Sequence, residues 1–226
     1  MNINPQAILF DLDGTLIDTA PDFVVTMNAL LAEEERPPIE AERIRAIVSE
    51  GATALITMAF DLEADDPMTL TLRNRFLDLY YRNLSLASQL FPDLDKLLQA
   101  LDEQNIPWGI VTNKPVHLSE ALLTKLDLHQ RCHTLICPEH VTEKKPSPES
   151  LFLACQEIQV DAEACIYIGD HERDIVAGNA AGMTTIAALY GYIPPTEEVT
   201  RWQATHQVST SPELHTLILN TINPKV

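Results

Sequence analysis

Five short apolar runs without polar alternation set the tightest limit on what this chain can fold into. They are Ala7-Ile8-Leu9-Phe10, Trp108-Gly109-Ile110-Val111, Thr134-Leu135-Ile136, Cys165-Ile166-Tyr167-Ile168 and Thr184-Thr185-Ile186-Ala187. A strand with one wet face alternates apolar and polar side chains, whereas a strand covered on both faces does not. Segments of helical period lie between the runs, from Leu94 to Gln104, Leu118 to Leu126, Pro148 to Ile158 and Arg173 to Ala181. Buried strands separated by helices predict a parallel sheet covered on both faces, a doubly wound, Rossmann-like α/β core.

The stretch from Asp18 to about Leu86 breaks this alternation. Pro21 suits the first turn of a helix, where a missing N–H costs nothing. Phe23, Val24, Met27, Leu30 and Leu31 then follow at helical spacing and give one apolar face. Further helical patterns run from Ala41 to Val48, Ala52 to Leu62 and Met68 to Leu84, divided by Arg36-Pro37-Pro38 and Ala64-Asp65-Asp66-Pro67. Residues 1–17 and 87–226 are therefore expected to form the α/β core, with residues 18–86 as an all-helical module inserted after the first strand.

Composition narrows the function. The 226 residues suffice for one sizeable core and a small second module. No stretch approaches the roughly 18 consecutive apolar residues of a membrane span. Met1 to Gln6 has neither the basic start nor the apolar run of a secretory leader, so a cytoplasmic, non-membrane protein is expected. The four cysteines form no CxxC pair, and Cys155 and Cys165 read as buried free thiols. His129 and His133 have the spacing of a metal pair but no accompanying third ligand, and read as a solvated helix end. A formal net charge of −18 argues against nucleic acid as a partner. An anionic small molecule fits only where positive charge is concentrated locally.

Open α/β sheets bind ligands at the carboxyl ends of their strands, and four polar segments fall at such ends. In Asp11-Leu12-Asp13-Gly14-Thr15, two carboxylates two residues apart can divide attack on phosphorus and proton transfer between them. Thr112-Asn113-Lys114-Pro115 offers a hydroxyl and backbone N–H groups to phosphate oxygens, or a helix cap. Lys144-Lys145-Pro146-Ser147-Pro148 offers a lysine to offset phosphate and aspartate, or a surface pair. Gly169-Asp170-His171-Glu172-Arg173-Asp174 offers hard oxygen ligands suited to Mg²⁺, or an acidic helix start.

In this order, the four segments resemble the four motifs of the haloacid dehalogenase superfamily of hydrolases, over nearly the whole chain. The resemblance implies Asp11 as nucleophile, Asp13 as general acid/base, and Thr112, Asn113 and Lys145 as phosphate contacts. Lys145 is preferred to Lys144 only by the match to the family's Lys-Pro pair. Mg²⁺ is implied as cofactor, held by the side chains of Asp11 and Asp170 and the backbone carbonyl of Asp13, with Asp174 in or near its outer shell. The helical insert resembles the family's mobile cap. Asp13 separates the chain from the dehalogenases, which lack an acid/base aspartate there. Val48-Ser49-Glu50-Gly51-Ala52-Thr53-Ala54-Leu55 resembles the substrate-specificity loop of the phosphoglycolate phosphatase group, making Glu50, Gly51 and Ala52 candidate substrate contacts.

Within that group, Thr19 to Phe23, Trp108 to Pro115, Leu135 to Val141 and Tyr190 to Pro195 resemble the branch acting on N-acetylmuramic acid 6-phosphate in cell-wall recycling. The implied partner is thus a small phosphomonoester, the amino sugar phosphate or 2-phosphoglycolate. A phosphosugar mutase and a non-catalytic phosphosugar-binding protein are the alternatives. His171 stands where the family commonly has a small polar residue, and reads either as a substrate contact or as an exposed helix start.

Overall fold

The computed structural model describes residues 5–223. The opening residues 1–4 of the segment read against a secretory leader lie outside that range. The chain divides into two compact units: Asp18–Gln89 forms one, and the described residues on either side of it form the other.

The α/β unit contains β1 (Ala7–Phe10), the first half of β2 (Ile17–Asp18) and the second half of β3 (Gln89–Leu90). It continues with α5 (Leu94–Glu103), β4 (Trp108–Val111), α6 (Val116–Lys125), β5 (Leu135–Ile136), α7 (Glu149–Ile158), β6 (Cys165–Gly169), α8 (Glu172–Ala180), β7 (Thr184–Ala188), β8 (His206–Val208) and α9 (Ser211–Ile222). The other unit carries α1 (Ala20–Glu33), α2 (Ala41–Arg45), α3 (Ala52–Phe60) and α4 (Pro67–Asn83). β2 and β3 pair as a two-stranded ribbon through which the chain leaves the α/β unit and returns to it.

The main sheet runs β5-β4-β1-β6-β7-β8, with parallel pairing throughout. Strand order reverses at β1, which leaves a crevice at the carboxyl ends of β1 and its neighbours β4 and β6. The burial explains the unalternated runs: every residue of β1, β4, β6 and β7 is buried. Ala7, Leu9 and Tyr167 join Leu151, Ala154 and Ala177 in one core cluster on one side of the sheet.

Two differences from the sequence reading stand out in this unit. β8 and α9 add a sixth strand and a closing helix to the five strands expected. Thr134 precedes β5, which is only two residues long. The free thiols of Cys155 and Cys165 are buried 3.7 Å apart, while His129 and His133 are exposed in turns beyond α6.

In the helical unit, α1 buries Phe23, Met27, Leu30 and Leu31, with Val24 only half-buried. Phe23 stacks on Tyr80 of α4 at 4.2 Å between ring centroids, and Phe76 flanks both. Asp66 caps α4 by accepting from Met68 N at 2.7 Å, with Pro67 in its first turn. The helix expected from Ala41 to Val48 ends instead at Arg45, and the chain then passes through a 3₁₀ turn, Val48–Glu50, to Gly51. Gly51 has φ +87°, a conformation that no continuous helix supports. None of the described helices is long and apolar enough to cross a membrane.

Candidate active site

Asp11 follows the last residue of β1, so the strand aims its carboxylate into the crevice. Its Oδ1 accepts from Lys145 Nζ at 2.8 Å. The same ammonium lies 2.7 Å from Asp174 Oδ1, 2.7 Å from the Tyr167 hydroxyl and 2.8 Å from the Val111 carbonyl. Lys145 is 3% exposed, whereas Lys144 is exposed, so burial distinguishes two lysines that adjacency in the sequence does not. Burial opposes the charge on Lys145, but Asp11 and Asp174 outweigh it and hold its pKa above the ordinary lysine value.

Asp13 occupies the turn two residues on, and both its oxygens accept from Lys114 Nζ, at 2.9 and 3.1 Å. Between the two aspartates and Thr15 the chain turns at Gly14, φ +82°. A Cβ on Gly14 would lie 2.3 Å from Asp170 Oδ2, so only glycine lets this turn approach the carboxylate.

Asp170 follows β6 and is 1% exposed. Thr15 Oγ1 donates to its Oδ1 at 2.9 Å, and Tyr192 N donates to its Oδ2 at 2.8 Å. Asp174, also 1% exposed, sits in the first turn of α8, where its Oδ2 accepts from His171 N at 3.1 Å. Asp11, Asp170 and Asp174 each present an oxygen, all three within 4.8 Å of one another. Burial first, and then the charges of Asp11 and Asp174, push the Asp170 carboxyl up to about 8. Burial likewise raises Asp11 despite the opposing pull of Lys145, with Asp174 adding to the rise.

Thr112 and Asn113 lie directly after β4. The Thr112 hydroxyl accepts from Lys114 N at 3.1 Å, and Asn113 Nδ2 donates to the Lys145 carbonyl at 3.1 Å. Neither caps α6, whose N-cap is Pro115. Glu50, Gly51 and Ala52 belong to the helical unit, at the 3₁₀ turn and the first residue of α3. His171 is the N-cap of α8: its Nδ1 accepts from Arg173 N at 3.2 Å, and its ring stacks on Trp202 at 6.4 Å.

Three contributors escaped the sequence reading. Lys114 stands inside a quoted segment with no role attached. Tyr167 donates to the Val111 carbonyl at 2.9 Å beneath Lys145, and a lone tyrosine in an otherwise aliphatic buried strand was its only signal. Tyr192 contributes a backbone N–H, which leaves no mark in a sequence.

The donor set fits a hard divalent cation. Three carboxylates converge, two of them buried, with the single charge of Lys145 between Asp11 and Asp174, and the deficit is of the kind Mg²⁺ fills with few protein ligands. Residues 8–188 match the model of the haloacid dehalogenase-like hydrolases. The chain is 42% identical over 199 residues to the N-acetylmuramic acid 6-phosphate phosphatase of Pseudomonas aeruginosa, covering 88% of each chain. It is also 42% identical over 210 residues to the phosphoglycolate phosphatase of Xanthomonas campestris pv. campestris, covering 93% of this chain and 95% of that one. In fold it matches the crystal structure of a predicted phosphoglycolate phosphatase from Haemophilus somnus 129PT, with a TM-score of 0.83 at 23% identity over 96% of this chain and 99% of the other. With its strand-end carboxylates and this match over most of its length, the chain belongs to the haloacid dehalogenase-like hydrolases.

Proposed function

We propose that this hydrolase is a Mg²⁺-dependent phosphomonoesterase that works through an aspartyl-phosphate on Asp11, and that its substrate is N-acetylmuramic acid 6-phosphate. The observation that carries the reading is the aspartate pair: Asp11 against Lys145 and Asp13 against Lys114, two residues apart at the end of β1. An oxygen of Asp11 attacks phosphorus as the bond to the leaving oxygen breaks, and Asp13 gives that oxygen its proton. Asp13 then takes a proton from water as the water oxygen attacks phosphorus and the bond to Asp11 breaks. Thr112, Asn113 and Lys145 hold the phosphate oxygens.

Asp11, Asp170 and the Asp13 carbonyl would hold Mg²⁺, with Asp174 behind them, and the ion would supply positive charge against which carboxylate and phosphate can meet. The helical unit serves as the cap that selects the substrate, with Glu50, Gly51 and Ala52 as its contacts.

The similarity to the P. aeruginosa enzyme supports the amino sugar phosphate. The equal identity to the X. campestris enzyme supports 2-phosphoglycolate as the second reading. Comparing kcat/KM for the two compounds, with Mg²⁺ and one preparation, tests the choice. A preference of a hundredfold or more for the amino sugar phosphate is expected, and the reverse preference replaces it with 2-phosphoglycolate. Release of inorganic phosphate separates either hydrolysis from a mutase, which returns the phosphoryl group to a sugar.

A further inference from the structure

The DxD turn carries two aspartates and the structure gives each its own buried lysine, drawn from a different loop. Lys145 serves Asp11 from the loop before α7, and Lys114 serves Asp13 from the loop after β4. The Lys114 side chain is only 4% exposed. A lysine whose sole task was solubility would run its stem along the surface and leave its ammonium in water. Burying an ammonium costs several kcal/mol unless a carboxylate answers it.

Lys114 is also fixed at its base. Its N–H donates to Thr112 Oγ1 at 3.1 Å, and its carbonyl accepts from Ser119 Oγ at 3.4 Å. The arm that reaches Asp13 therefore starts from an anchored backbone and ends on both carboxylate oxygens, at 2.9 and 3.1 Å. Asp13 itself stands in a turn, with its side chain 17% exposed.

We infer that Lys114 is a positioning residue for the reaction: its two-oxygen grip holds the Asp13 carboxylate in the one orientation from which it serves the leaving oxygen and then the attacking water. The inference rests on the proposed role of Asp13 as acid and base. Proton transfer in a transition state demands hydrogen-bond reach, and a carboxylate free to turn away meets that demand only part of the time. Losing the grip should slow both halves of the reaction without weakening substrate binding.

The test uses the Mg²⁺-loaded full chain and two substrates, p-nitrophenyl phosphate and 2-phosphoglycolate, followed by rapid quench. Nitrophenolate leaves readily without a proton, so its release reports formation of the aspartyl-phosphate even when Asp13 is out of place. The water step still needs the base. Lys114→Met is expected to release about one nitrophenolate per active site in a burst, then to turn over about 10- to 100-fold more slowly than wild type. With 2-phosphoglycolate the same variant should lose kcat by a similar factor with KM unchanged and no burst. Asp13→Ala should show the same pattern more strongly.

The burst amplitude counts folded sites. Should the Met variant not fold, Lys114→Gln, which keeps a polar end but loses the charge and is one atom shorter, is held to the same outcome. A raised KM with unchanged kcat makes Lys114 a substrate contact and overturns the inference. So does an equal slowing of nitrophenolate release and of turnover, which marks general damage. If Asp13→Ala leaves the water step intact, the role of Asp13 falls and the inference falls with it. If Asp13→Ala behaves as expected and Lys114→Met matches wild type, the role of Asp13 stands and the inference alone fails.

Discussion

Asp22 in the helical unit and Asp170 in the α/β unit are equally hidden, at 0% and 1% exposure, yet they are answered by different chemistry. Asp22 accepts from Ser85 N at 2.7 Å, from Ala87 N at 2.8 Å and from the Ser88 hydroxyl. Each donor is a neutral dipole of the segment that follows α4, so a buried charge is solvated by its own unit and fastens the start of α1 to that segment. Asp170 also has two neutral donors, Thr15 and Tyr192 N, but shares its cavity with Asp11 and Asp174. Like charges gathered in a buried site destabilise the metal-free fold. The comparison teaches where to look for function: burial alone does not mark it, whereas burial with unbalanced charge does.

The largest expected effect lies on the unbalanced side. Asp11→Asn should lower kcat by about 10⁴-fold or more, since the nucleophile is gone and the other groups act around it. The same variant should melt no lower than wild type in chelator, because one of the crowded charges has been removed. Phosphate release and a thermal melt on one preparation check both halves. A variant that retains activity ends the aspartyl-phosphate reading, and one that melts well below wild type makes Asp11 structural like Asp22.

Asp22→Ala should do the opposite. It leaves two part-buried N–H groups and the buried Ser88 hydroxyl without their acceptor, which should cost about 2 kcal/mol. Urea unfolding measures that loss. The aspartyl-phosphate should still form on the folded fraction, since Asp22 belongs to the helical unit and not to the carboxylate cluster. Wild-type stability in the variant would remove Asp22 from the account of how that unit is held.

How much of this was legible in the sequence follows from how local each signal is. Asp11 and Asp13 stand in one short segment behind a buried strand, and Asp170 and Asp174 in another, so the aspartates of the site could be read from two stretches of chain. Which lysine meets which aspartate could not. Lys114 meets Asp13 across 101 residues and Lys145 meets Asp11 across 134, and only the fold brings them together. Asp22 escaped for a related reason: an acidic residue in a first helical turn already has a dipole to explain it, and its partners lie 63 to 66 residues away. β8 has three residues with only Val208 buried, too little for a pattern. α9 did leave a sign, since Thr210 accepts from Glu213 N and Ser209 N donates to the Glu213 carboxylate at 2.7 Å, the Thr-x-x-Glu spacing of a helix start.

A smaller effect sharpens the contrast through pH. A folded Asp170 carboxyl that keeps its proton up to about 8, against about 4 in an unfolded chain, means the folded state binds more protons in that window. Stability of the chelated protein should therefore fall as pH rises from about 4 toward 8. Asp170→Asn should flatten that dependence, and Mg²⁺ should raise the melting temperature more at pH 8 than at pH 5, where it must displace the proton. A chelated wild type that grows more stable across this window would show that the crowded carboxylates are answered after all.

The smallest effect concerns His171, which is next to Asp170 in sequence but belongs with Asp22 in kind. Its Nδ1 accepts from Arg173 N, its backbone N–H donates to Asp174, and its ring lies against Trp202, which are the contacts of a helix cap. His171→Ala keeps the N–H that Asp174 needs and removes only the ring. The expected cost is about 1 kcal/mol of stability, the ordinary worth of an N-cap side chain. kcat/KM should stay at the wild-type value for whichever phosphomonoester is preferred. A tenfold fall in kcat/KM, equivalent to about 1.4 kcal/mol of lost transition-state stabilisation, would make the ring a substrate contact. The half-buried residue that follows Asp170 would then belong with the carboxylate site rather than with the start of α8.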